Sequence, residues 1–248
     1  MILNLINLIT QNKLLVVLLT MIFLIIIVAI MWIIKGKKEK IDSKKVATIG
    51  IFTAFSIVLY FIKFNLPFLF PSFLEINFSL LPIIIMGFML GPVEGITLVL
   101  LRAIIKIPFT STFCVGELAD VLIGIPVILV TSLIYLKKHD RKGALLSLII
   151  GMFMWIFAAV LTNIFINVPF FIQLYCDGNV SSFIGILSII PGVNEQNYLF
   201  KYVCYAVIPF NLLLSFIVSS VTFLVYKKIS YIFNKFNNKK ENDHIDNK

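Results

Sequence analysis

Charged residues are scarce in this chain, and histidine is almost missing. Asp, Glu, Lys and Arg make up only 13% of 248 residues, too little to cover the surface of a water-soluble protein of this length. Both histidines, His139 and His244, fall in polar stretches outside the apolar runs. No His-rich metal site or His-based proton relay can therefore be built within a membrane. The three cysteines, Cys114, Cys176 and Cys204, lack metal-ligand spacing, and their odd number argues against a complete disulfide framework. The sequence has neither a GxxxxGK[ST] phosphate loop nor a GxSxG nucleophile elbow, so ATP hydrolysis and serine-hydrolase chemistry have no home here. Energy for any active transport must come from a partner.

What the chain has in abundance is apolar sequence: 60% of its residues are hydrophobic, the composition of an integral membrane protein. Residues 14 to 34 form an uncharged run long enough to span, followed at once by the basic KGKKEK stretch. Further spans are predicted at 45–63, 77–90, 92–107, 117–136, 143–168 and 203–226. The pair 77–90 and 92–107 is split only by Gly91-Pro92, which predicts a tight helical hairpin or a partly re-entrant element. Residues 169–201 read as a long loop, and the stretch 234–248 as a polar, disordered end. No internal repeat is evident.

The net charge of +9 does not point to nucleic acid, because the basic residues cluster beside apolar runs. Residues 35–45, 137–142 and the tail from Lys227 hold sixteen of the 21 Lys and Arg. The positive-inside rule makes these segments cytoplasmic, with the C-terminus inside and the amino terminus outside in a seven-span arrangement. The connections 64–76, 108–116 and 169–202 are then external.

Polar side chains within the predicted spans form a short candidate list, because hydrocarbon tolerates them only beside a partner or a cavity. Arg102 and Lys106 share a helix face, as do Glu117 and Asp120, and Asn163 and Asn167; Asn211 lies in the last span. Arg102 with Glu117 or Asp120 reads equally as a structural ion pair or as a ligand contact. The asparagines read either as interhelical bonds or as part of a pocket, since several polar groups gather at the external end. Gly50 and Ala54, with Ala47 a turn earlier, make a small-residue strip suited to internal packing or to another protein's helix.

Six stretches in this order carry a resemblance: FPSFLEINFSLLP, MGFMLGPVEGI, TSTFCVGELADVLIG, KKHDRKGALLSLIIG, LTNIFINVP and IPFNLLL. Together they resemble the substrate-binding S components of energy-coupling factor (ECF) vitamin transporters, in particular the riboflavin-binding type, over roughly residues 45–228. The resemblance implies an all-α integral membrane protein of the plasma membrane: a six-helix S-component bundle at 45–228, an extra N-terminal transmembrane helix with its linker at 1–44, and a polar cytoplasmic tail at 229–248. It implies no catalytic activity, no cofactor and no metal, with riboflavin as transported ligand. The implied partners are a membrane T subunit and two cytoplasmic ATPases.

The ligand-binding residues implied are Phe73, Leu74, Ile76 and Asn77 in the opening segment, Thr112, Gly116, Glu117 and Asp120 along the fourth-helix wall, and the amides Asn163 and Asn211. The small strip Ala47, Gly50 and Ala54 matches the contact with the T subunit. The chain departs from the family pattern at Leu214, where a lysine is usual, at Asp120, where Asn is frequent, and at Asn77 and Leu80, where aspartates are expected. A different vitamin is the nearest alternative; an intramembrane enzyme or a sensory binding protein would be other classes.

Overall fold

The computed structural model describes residues 43–245. The predicted span 14–34 and nearly all of its basic linker lie outside the described residues.

Helix α1 covers Ser43–Phe61, and its chain then enters a two-stranded antiparallel ribbon, β1 Phe64–Asn65 with β2 Glu75–Ile76. Pro67 and Pro71 keep the intervening residues out of a continuous helix. Helices α2, Leu80–Leu90, and α3, Pro92–Lys106, follow as the predicted hairpin. Helix α4 is Val115–Lys137, α5 is Arg141–Tyr175 and α6 is Val180–Ile186. Helix α7 begins at Tyr198 and runs on to Ile245.

Four of these helices are long and apolar enough to cross a membrane: Ser43–Phe61, Val115–Lys137, Arg141–Tyr175 and Tyr198–Lys228. Helix α2, at 11 residues, is about 16 Å long, well short of a bilayer core of about 30 Å. It is apolar all round and buried from Leu80 through Phe88, so it forms the centre of the bundle. Gly91 turns the hairpin at a φ of 104°, a conformation that side chains resist, and Pro92 then fits the first turn of α3, where its missing N–H costs nothing. A Cβ on Gly95 would lie 3.3 Å from the Gly87 backbone, so the two arms cross in close contact.

Residues 169–201, predicted as a loop, are largely helical. Val168 N–H bonds the Asn163 carbonyl and Ile208 N–H bonds the Val203 carbonyl, each five residues back and each just before a proline. Proline has no N–H and crowds the carbonyl four residues earlier; widening one turn absorbs the misfit and lets the helix continue. Helix α5 therefore extends past Pro169 to Tyr175, and α7 starts at Tyr198 rather than 203. Helix α7 runs on to Ile245. No Gly or Pro follows Pro209, so nothing in the sequence breaks a helix already nucleated in the bundle.

Candidate functional site

A cavity of about 160 Å³ opens at the end of the bundle opposite the basic α4–α5 turn. Its walls come from five parts of the chain: the 64–79 loop, the start of α4, the end of α5, α6 and the start of α7. Phe73 and Leu74 cover it from the loop. The Lys63–Glu75 ion pair, at 2.7 Å, and the β1–β2 pairing fasten the base of that loop. Phe73 lies 4.9 Å from Phe171 and 5.9 Å from Tyr202, centroid to centroid, with Phe183 at 6.4 Å. Such aromatic pairs contribute about 0.5–1.5 kcal/mol each beyond their burial.

The α4 wall is set by a strained turn. Phe113 and Cys114 have φ of 51° and 68°, rare for residues with side chains. Thr110 Oγ1 holds this turn, accepting the backbone N–H of Thr112 at 3.2 Å and of Cys114 at 3.1 Å while donating to Glu117 at 2.8 Å. Thr112 and Gly116 thereby face the cavity, with Thr112 Oγ1 accepting the Gly116 N–H at 3.0 Å. Tyr175 donates to the Ser111 carbonyl at 2.6 Å, tying the end of α5 to the same turn.

The α5 wall carries the polar chemistry. Asn163 is buried; its Nδ2 donates to the Ala159 carbonyl at 2.8 Å, and its Oδ1 accepts from Tyr202 Oη at 3.0 Å and Asn167 Nδ2 at 3.3 Å.

Of the ten predicted ligand-binding residues, Phe73, Leu74, Thr112, Gly116 and Asn163 meet around this cavity. The other five have their polar or apolar groups engaged elsewhere. Ile76 is buried in the core. Asn77 Oδ1 caps Ser79, accepting its N–H at 3.2 Å and its Oγ–H at 2.7 Å. Glu117 and Asp120 belong to a charge network in which Lys106 lies 2.6 Å from Asp120 and 4.0 Å from Glu117, and Arg102 lies 3.7 Å from Asp120. Asn211 accepts the Trp155 indole N–H at 3.1 Å and donates to the Val207 carbonyl at 2.8 Å.

Six cavity-lining residues missing from that prediction, Phe170, Phe171, Leu174, Tyr175, Phe183 and Tyr202, come from the predicted 169–201 connection or from its edge. Phe171 and Tyr175 keep helical i, i+4 spacing, but Pro169 before them reads locally as the end of the helix. Asn167 also lines the cavity; its i, i+4 spacing from Asn163 already placed it on that face.

These features define a helical membrane protein with a lidded, aromatic small-molecule cleft at one end of its bundle. Residues 44–226 match the family described as ECF transporter, substrate-specific component, and the chain belongs to that family. Among its relatives, the riboflavin transporter RibU of Staphylococcus aureus (strain TCH60) is 28% identical over 189 residues, 76% of this chain and 92% of the relative. The riboflavin transporter RibU of Streptococcus thermophilus is 27% identical over 204 residues, 78% of this chain and 86% of the relative. The solved structure of the S component of a bacterial ECF transporter superposes with a TM-score of 0.59 at 27% identity, covering 77% of this chain and 97% of that one. The chain is thus a multi-pass plasma-membrane transport component and not an enzyme, as the sequence implied.

Proposed function

We propose that this chain captures riboflavin at the external end of its bundle and delivers it inward with a T subunit and two ATPases. The observation that carries the reading is the cleft itself: aromatic faces from Phe73, Phe171, Phe183 and Tyr202 surround an amide-bearing wall. An isoalloxazine ring needs that combination, apolar faces with donors and acceptors at its pyrimidine edge. Two relatives that span most of this chain are riboflavin transporters, which supports the same ligand.

At about 160 Å³ the cavity is smaller than the 300 Å³ or more typical of sites for drug-sized ligands. Entry of a three-ring heterocycle therefore requires Phe73 and Leu74 to swing outward, the loop acting as a lid. The six-helix core comprises α1 to α5 and α7. The basic clusters support a cytoplasmic C-terminus. Ala47, Gly50 and Ala54 are all exposed along α1, and nothing lies within 4 Å of a Cβ built on Gly50, which suits close approach by a helix of the T subunit.

Purification from flavin-replete cells tests the ligand. The protein is expected to carry flavin's visible absorption; a preparation that is colourless and takes up no added flavin contradicts the reading.

A further inference from the structure

The cleft contains a polar atom that the protein leaves unsatisfied. Asn167 lines the cavity, and its Oδ1 is buried without a hydrogen-bond partner. Which amide atom is the oxygen follows from a chain of bonds anchored on the backbone. The Ala159 carbonyl can only accept, so the Asn163 atom 2.8 Å away is Nδ2 and Asn163 Oδ1 faces the other side. That oxygen in turn can only accept, so the Asn167 atom 3.3 Å from it is the NH2 group. Asn167 Oδ1 is then turned away from the network, among the residues that wall the cleft.

Its polar neighbours on the network are already engaged. Asn163 Oδ1 accepts two bonds, and Tyr202 gives its only proton to that oxygen at 3.0 Å. The π-turn at Asn163–Asn167 and the helix beyond it place Asn167 and Phe171 four residues apart, so the acceptor sits beside an aromatic face. A buried acceptor without a donor is unfavourable, and an incoming N–H relieves it.

We propose that Asn167 Oδ1 accepts a hydrogen bond from the imide N3–H at the pyrimidine edge of the bound ring, and so selects flavins that keep that proton. This rests on the flavin reading of the cleft. Asn163 and Tyr202 act as positioning residues: they hold the Asn167 amide with its oxygen toward the ligand.

The test compares riboflavin with N3-methylriboflavin, by fluorescence quenching, on the full chain in detergent and on its Asn167→Leu variant. Leucine keeps the volume and removes the acceptor. Wild-type protein is expected to prefer riboflavin by about tenfold, and Asn167→Leu to reduce that preference to about twofold or less. Thermal unfolding of the ligand-free variant should show little loss of stability, because removing an unpaired buried oxygen offsets the lost 3.3 Å bond to Asn163, whose Oδ1 keeps the Tyr202 donor. Equal binding of the two flavins to wild type, or an unchanged preference in the variant, overturns the role of Asn167 while leaving riboflavin as ligand. Binding of neither flavin to wild type overturns the flavin reading and this proposal together.

Discussion

Arg102 Nη1 donates to Ser79 Oγ at 2.6 Å, joining the later turns of α3 to the residue that precedes α2. Ser79 passes the bond on to Asn77, and its carbonyl accepts from Ser56 of α1 at 2.7 Å. On the other flank Arg102 lies 3.7 Å from Asp120, which also meets Lys106. The cluster links α1, the lid's base, α2, α3 and α4, so its first consequence is for stability. Arg102→Met should destabilise the protein by about 3–5 kcal/mol, since it strips the buried Ser79 hydroxyl of its donor and Asp120 of one of its two cations. Lys106→Met and Asp120→Asn should each destabilise it, and the double variant by less than their sum. Chemical denaturation in detergent, followed for the four variants, checks this; additive effects would contradict the pairing.

The lid prediction concerns Phe73, whose ring meets Phe171, Phe183 and Tyr202 over the cavity. Phe73→Ala should weaken riboflavin binding by about 1–3 kcal/mol, mostly through faster release. Stopped-flow fluorescence separates the two rates. A variant with wild-type release would show that this ring does not cover the ligand.

The two asparagines that the resemblance picked out should behave differently. Asn163 lines the cavity and orients Asn167, so Asn163→Ala should weaken riboflavin binding by about 1–3 kcal/mol. Both ends of Asn211 are used within the bundle, and Asn211→Ala leaves the buried Trp155 N–H without its acceptor. That change should lower unfolding stability by about 1–3 kcal/mol and affect affinity less. Paired measurements of affinity and unfolding check the contrast; equal loss of affinity in both would place Asn211 at the ligand.

The outer face of α1 yields a prediction about transport alone. Gly50→Trp and Ala54→Trp place bulk on the exposed face of α1 proposed to meet the T subunit, and neither residue lines the cleft. Each should abolish riboflavin uptake in cells that supply the partner subunits, and each should preserve binding in detergent. Uptake that survives both changes would move the partner contact elsewhere.

The helical periodicity, the Gly91-Pro92 hairpin and the basic clusters made the membrane class readable from composition and spacing. A partner for Arg102 in Glu117 or Asp120 was also foreshadowed, because hydrocarbon leaves buried charges no alternative to one, whereas the shorter Lys106–Asp120 contact was not. The end of α5 was not. Pro169 reads locally as a terminator, and only the wider turn before it, a tertiary accommodation with no residue signature of its own, carries the helix on to Phe171 and Tyr175. The same device recurs before Pro209. Half of the cleft's aromatic wall was hidden for that reason. Residue type likewise marked Asn211 as a polar group in need of a partner, but only the fold shows that Trp155 is that partner.

The central claim is that the aromatic cleft under Phe73 takes riboflavin. Titrating riboflavin into the purified full chain in detergent, at micromolar protein, tests it most directly: stacking against Phe171, Phe183 and Tyr202 should quench the flavin's fluorescence saturably, with about one equivalent bound. Unquenched fluorescence throughout the titration would contradict riboflavin as the ligand.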